Sequence, residues 1–303
     1  MGIANQNTKT VHFYQEETFL TALIYIIKEA NEILREERSP EMTIEEKVDA
    51  NGRKSKVTSG DLKTNDFIMK RLEEINQTLA DDKVGFYNII SEEIAEAPFE
   101  ERNGPLIDGS WSVDPLDGTA DYCNFELENP SYTCNIGLII DGVPVFGIVS
   151  VPETGVIYYG IKGVGSYKID DENNVCYDGE TMYPGRRIHV DPGKDLKADG
   201  VRVAASASHL NHETKNFINS KLNNVVCKYY ASSLKLCAVA EGEVDIYPRC
   251  GPTYEWDTCA ADAVVRYAGG GVYIYNPGLD LDQYKEMLKY NKPYLLNPHF
   301  VVF

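Results

Sequence analysis

The chain has 303 residues, enough to bury a full core as one large or two modest domains. Hydrophobic residues make up 43% and charged residues 25%, a globular balance rather than a disordered one. A formal net charge of −18 sets the surface against nucleic-acid backbones and anionic membranes, but leaves room for a small anion bound through divalent cations.

Phe13, Leu20, Ile24, Ile27 and Leu34 recur at the spacing of an amphipathic helix over residues 11–37. A polar stretch with an Asn51-Gly52 turn signal then reads as a hairpin. Asp61 stands near the start of a second helix that carries Leu62, Ile68, Leu72, Ile75 and Leu79. A short apolar run over residues 84–90 ends in Ser91-Glu92-Glu93. Residues 111–113 form a strand, and residues 131–140, 143–151 and 156–160, rich in Val, Ile and Tyr, form an antiparallel meander. Residues 169–200 are polar and rich in Asp, Gly and Pro, a seam between two halves. Beyond it, strands at 201–205, 225–229, 245–247 and 272–275 alternate with helices at 212–222, 232–241 and 258–268. The expected architecture is α+β, two stacked halves that divide into residues 1–185 and 186–303.

Seven dispersed cysteines without a CxxC pair read as reduced, mostly buried thiols. With no signal peptide and no apolar run of spanning length, the expected location is cytoplasmic.

The sharpest feature is Asp114-Pro115-Leu116-Asp117-Gly118-Thr119, placed at a strand-to-helix junction. Two carboxylates three residues apart, with Pro115 stiffening the turn, can converge on one or two hard cations. Backbone N–H groups at the following helix start suit a phosphate oxygen. Five fixed letters of this kind arise by chance in about one such chain in ten thousand at roughly 5% usage per residue type. Either aspartate alone would be read as a turn former or a helix cap. A second signal, Glu255-Trp256-Asp257-Thr258-Cys259-Ala260-Ala261, runs into a helix that Asp257 could cap.

These two segments resemble the signatures of the inositol monophosphatase superfamily of magnesium-dependent, lithium-sensitive phosphatases. Ser91-Glu92-Glu93 and Thr58-Ser59-Gly60-Asp61 are similar to that family's Glu-Glu and Thr-x-x-Asp segments, in the family's order. The resemblance implies a layered α/β/α/β/α sandwich of the inositol monophosphatase and fructose-1,6-bisphosphatase type. It implies that Glu92, Asp114, the Leu116 carbonyl, Asp117 and Asp257 bind two or three Mg²⁺ ions. Asp61 and Thr119, joined by a hydrogen bond and with Glu92 close by, would orient the attacking water.

Ser206-Ala207-Ser208-His209-Leu210, Ser232-Ser233-Leu234-Lys235-Leu236-Cys237 and Asp245-Ile246-Tyr247-Pro248-Arg249 are similar to the CysQ-type 3′(2′),5′-bisphosphate nucleotidases, as is the tail from Tyr290 to Phe300. The implied substrate is 3′-phosphoadenosine 5′-phosphate, with its sulfated and 2′,5′ counterparts as further candidates. Gly118, Thr119, Ser206, His209, Ser232, Lys235, Arg249 and Asp257 would contact it. Lys235, Arg249 and His209 can donate to the phosphate that is not cleaved. Each also has an ordinary role open to it: His209 bonding a carbonyl, Lys235 on a solvated helix face, Arg249 paired with Glu255, Ser232 as a helix cap. Ala207 departs from the Arg that relatives often carry. The rivals are an inositol monophosphatase or broad sugar phosphatase and, outside enzymes, a metal- and nucleotide-binding sensor.

Overall fold

A computed structural model describes residues 12–48, 54–94, 98–170, 174–177, 181–206 and 211–303. Helix α1 (Glu17–Glu37) buries Leu20, Leu23, Ile27, Ala30 and Leu34, a stripe at alternating spacings of three and four. Ile24 is only half-buried because the centre of that stripe passes through Leu23. Strands β1 (Ile44–Val48) and β2 (Lys54–Thr58) pair antiparallel, with Ile44 opposite Thr58; the Asn51-Gly52 turn lies outside the described residues. Thr58 caps helix α2 (Ser59–Asp81) through a reciprocal box. Its hydroxyl accepts from the Asp61 N–H at 3.3 Å, and Asp61 Oδ2 accepts the Thr58 N–H at 2.7 Å.

Next come β3 (Tyr87–Ser91), α3 (Phe99–Arg102), β4 (Gly109–Asp117), the single turn α4 (Thr119–Tyr122), β5 (Thr133–Ile140), β6 (Val143–Val151), β7 (Val156–Ile161) and β8 (Gly165–Ile169). Strands β9 (Val175–Tyr177) and β10 (Met182–Pro184) form a small hairpin, and β11 (Arg186–Ile188) pairs with β8. The large sheet has the order β11-β8-β7-β6-β5-β4-β3 and is antiparallel except for the β3–β4 pair.

The remaining elements are β12 (Arg202–Ala205), α5 (His212–Lys221), β13 (Val226–Tyr229), α6 (Leu234–Ala240), β14 (Tyr247–Arg249), α7 (Cys259–Tyr267), β15 (Val272–Ile274) and β16 (Phe300–Val302). The strand expected at 245–247 begins later, at Tyr247, while Ile246 makes a lone parallel bridge to Val203. Strand β16 lies between β14 and β15.

Three apolar clusters separate the layers. One fills the space between α1, α2 and the large sheet, and a second lies between the sheet's other face and α6, α7 and β14–β16. The third packs α5 against the far side of the second-half strands. The result is the α/β/α/β/α layering.

Helix α7 approaches the large sheet unusually closely. A Cβ added at Gly137 would strike Cys259 Sγ, and one at Gly147 or Gly160 would strike the Ala260 or Ala263 carbonyl. Small residues on both surfaces let backbone meet backbone, and this contact fixes where α7 begins. Gly147→Ala should cost about 3 kcal/mol, the upper end for overpacking a rigid core, read as a lowered midpoint of urea unfolding.

Candidate active site

Strands β3 and β4 run parallel with Ser91 beside Val113, and the Glu92 N–H extends the ladder to the Val113 carbonyl. Glu92, just past the end of β3, and Asp114, in the last part of β4, therefore lie at the same level on two neighbouring strands. Open sheets place ligands at the carboxyl ends of their strands. Asp257 arrives from the turn before α7, on the opposite side. Ligand oxygens of Glu92, Asp114 and Asp257 lie within 4.8 Å of one another.

Asp114 is fully buried. Its Oδ1 accepts the Leu116 N–H at 3.1 Å, whereas Oδ2 is a buried acceptor with no protein donor. A buried anion in that state is costly unless something positive meets it. Burial, followed by the neighbouring carboxylates, pushes Glu92 and Asp114 well above the usual carboxylate range. An oxygen-only donor set with an unused buried lone pair suits a hard divalent cation, so these residues fit magnesium. The Leu116 carbonyl lies on the same loop and accepts the Thr119 hydroxyl at 3.3 Å.

Asp117 stands beside this trio but outside it. Burial raises its pKa, while Lys235, the Ser232 hydroxyl, the Ser233 N–H and Arg249 pull it back. Its charge is thus compensated from the second half. Ser232, in the left-handed region at φ 52°, donates its hydroxyl to the Asp117 carbonyl at 2.9 Å and does not cap α6; Ser233 holds that position. Gly118, at φ 97°, leaves no space for a Cβ beside Ser232 Oγ. After it the chain makes only one helical turn, less than the helix expected there.

The expected Thr119–Asp61 hydrogen bond is not made. Thr119 turns to the Leu116 carbonyl, and Asp61 Oδ2 is taken by the Thr58 N–H and hydroxyl. The capping demand of α2 wins that oxygen. Burial lifts Asp61 to about 7 against those hydrogen bonds. Asp257 does not cap α7 either: its Oδ2 accepts the Tyr254 N–H at 2.7 Å, and Thr258 precedes the helix.

A cavity of about 200 Å³ opens beside the cluster. Asp117, Gly118 and Asp257 line it together with Ser206, Ser232, Lys235, Tyr247 and Arg249. Lys235 is buried rather than on a solvated face, donates to the Ser232 carbonyl at 2.7 Å, and is lowered to about 8 by burial. Arg249 donates to the Pro252 carbonyl at 3.3 Å and keeps a buried Nε without a protein acceptor; Glu255 pairs with Lys292 instead. His209 and Ala207 lie outside the described residues.

Lys47 on β1 was not singled out from sequence. It lies 3.3 Å from the Glu93 carboxylate, and it donates to the Glu92 carbonyl. Asp121 was likewise missed: it lines the cavity and accepts the Ser131 N–H at 3.3 Å. Only their place in polar, charge-rich stretches marked either residue.

A five-layer α+β fold with carboxylates converging at paired strand ends beside an anion-sized cavity defines a metal-assisted phosphatase class. Residues 15–297 match the inositol monophosphatase family, and the chain belongs to that family. The 3′(2′),5′-bisphosphate nucleotidase CysQ of Aggregatibacter actinomycetemcomitans is 28% identical over 97% of this chain and 93% of its own length. The CysQ nucleotidase of Escherichia coli K12 is 36% identical over 172 residues, 57% of this chain and 61% of that protein. The crystal structure of CysQ from Bacteroides thetaiotaomicron matches with a TM-score of 0.69 at 30% identity, covering 94% of this chain and 97% of that one. No helix among the described residues is long and apolar enough to cross a membrane.

Carboxyl groups raised in the fold stabilise it fully below their unfolded values, and that contribution is lost as pH rises through the folded values. Without divalent cations, the melting temperature should therefore fall between pH 5 and pH 8, the window that contains Asp61 at about 7. Adding Mg²⁺ should flatten the slope, as followed by differential scanning fluorimetry.

Proposed function

We propose that the protein is a magnesium-dependent phosphatase that hydrolyses the 3′-phosphate of 3′-phosphoadenosine 5′-phosphate, giving AMP and phosphate. The observation that carries this reading is one cavity lined both by the carboxylates Asp117 and Asp257 and by the cations Lys235 and Arg249. A second phosphate would give Lys235 and Arg249 an anionic partner beyond Asp117, which an inositol monophosphate does not. The sulfated and 2′,5′ forms also present two anionic groups, a 3′-phosphate with a 5′-phosphosulfate or a 2′-phosphate with a 5′-phosphate. The CysQ relatives support the same substrate class.

Glu92, Asp114, Asp257 and the Leu116 carbonyl would hold magnesium, with Asp117 alongside. Bound magnesium supplies charge neutralisation at the phosphoryl group and lowers the pKa of water, and lithium would compete for such a site. Asp61, poised near neutrality, accepts a proton from the attacking water or a relay to it. Ser232 fixes the Asp117 carbonyl, and Thr119 fixes the loop through Leu116. Lys235 and Arg249 donate to the phosphate that stays, and Ser206 also lines the cavity. In this reading water is the nucleophile, and burial raises the Cys134, Cys237 and Cys259 thiols, so these three do not present a thiolate.

Phosphate release from 3′-phosphoadenosine 5′-phosphate should exceed that from inositol 1-phosphate by at least about tenfold in kcat/KM, the value of one charge-assisted hydrogen bond. Lys235→Met should raise KM for the nucleotide about tenfold and remove most of that preference. Equal rates on both substrates would sink the nucleotide reading; tight nucleotide binding with no phosphate release would mark a sensor. Asp117→Asn should keep the fold and lower turnover at least about a hundredfold, the upper range for groups that only support a metal ligand. Near-wild-type phosphate release at saturating Mg²⁺ would remove Asp117 from the catalytic set.

A further inference from the structure

The tail residues Tyr290 to Asn297 do not line the described cavity, yet they grip both carriers of the metal carboxylates. From the first half, the buried Arg102 guanidinium donates to Asn291 Oδ1 at 3.1 Å and to the Lys292 and Pro293 carbonyls at 3.2 and 3.0 Å. The Asn291 amide donates to Asn103 at 2.7 Å and to Ser110 at 3.2 Å.

From the second half, the fully buried Glu255 accepts the Asn291 N–H, the Lys292 N–H at 2.9 Å and the Lys292 ammonium at 2.6 Å. The Lys292 ammonium also reaches Asn297 Oδ1 at 3.1 Å, and the Asn297 amide donates to the Tyr254 carbonyl and the Thr258 hydroxyl at 2.7 and 2.9 Å. The Glu255 N–H closes onto the Leu295 carbonyl at 2.8 Å.

Leu295 completes the grip. It is fully buried in one small apolar cluster with Ile90 and Trp256. Ile90 lies two residues before Glu92, and Trp256 immediately precedes Asp257. Leu295 also has φ 51°, which costs energy for a branched side chain and persists only where the surroundings dictate it. Glu92 and Asp257 repel one another, and the strand end and the turn that carry them are far apart in sequence.

We infer that this tail segment is a clasp that sets the separation of Glu92 and Asp257, with Lys292 and Leu295 as positioning residues for the cation site. The inference rests on the reading of Glu92, Asp114 and Asp257 as that site. Loss of the Lys292 charge alone would make the neighbourhood more negative and tighten cation binding. Weakened binding therefore reports position, not charge.

The test is a titration of the purified full-length protein with Mn²⁺, followed by electron paramagnetic resonance, with Mg²⁺ activation curves alongside. Lys292→Met and Leu295→Ala should each raise the Kd for Mn²⁺ about tenfold, as loss of a ligand's supporting partner does. The Mg²⁺ needed for half-maximal activity should rise in parallel, with kcat at saturating metal within about twofold of wild type. Lys292→Arg should restore binding. Phe217→Leu, in the distant α5 cluster, should lower the melting temperature without moving the Mn²⁺ Kd. An unchanged Kd in Lys292→Met, which removes only a half-buried side chain, overturns the clasp even if Leu295→Ala does not fold. Equal weakening in Phe217→Leu overturns it too, by showing that general stability sets the affinity. Failure of the wild-type protein to bind Mn²⁺ would instead overturn the cation site itself, and the clasp with it.

Discussion

The structure is organised around a repulsion. Asp114 is fully buried beside the carboxylates of Glu92, Asp117 and Asp257, and these neighbours disfavour its ionisation and that of Glu92. Isolated, such a cluster would protonate or fly apart. Rigid surroundings hold it: two strand ends in register, a helix pressed onto glycines, and donors from the second half directed at Asp117. That rigidity is what makes a cation the natural partner of the cluster.

The two halves divide the electrostatic work. The first supplies Glu92, Asp114, Asp117 and Asp61; the second supplies Lys235, Arg249 and the Ser232–Ser233 turn, with Asp257 as its one acid at the centre. A buried chain reinforces the join, as the Ser233 hydroxyl bonds Asn135 at 2.8 Å and lies 2.9 Å from that of Thr133 on β5. The cavity is therefore lined by groups of both signs, and the turn that carries Ser232 is tied to the loop that carries Asp117.

Much of this was legible in the sequence, because periodicity and short-range capping are local. The α1 stripe, the strands of the meander and Asp61 at the start of α2 all follow from neighbours within a few residues. What was not legible depended on competition between partners. Asp61 had two claimants, and Thr58 prevailed over Thr119. Ser232 could cap a helix, but tertiary contact with Asp117 pulled it into a left-handed conformation one residue before the cap. Strand β16 was hidden because three residues, Phe300 to Val302, carry too little pattern to announce a central strand. The pairing of β3 with β4 in parallel was also invisible, since residues 84–90 read only as a short apolar run and residues 111–113 only as a brief strand.

That parallel pair has a topological consequence. Antiparallel neighbours can be joined by a hairpin, but parallel ones need a connection that travels back along the whole length of the strand. Here the connection joins Ser91 at the end of β3 to Gly109 at the start of β4, and its described part includes α3 (Phe99–Arg102). The detour carries Arg102, the guanidinium that grasps the tail. The backtracking that brings two carboxylates to one edge thus also delivers the anchor for the segment behind them. Shortening this connection would disturb both together, so its length is constrained by two demands rather than one.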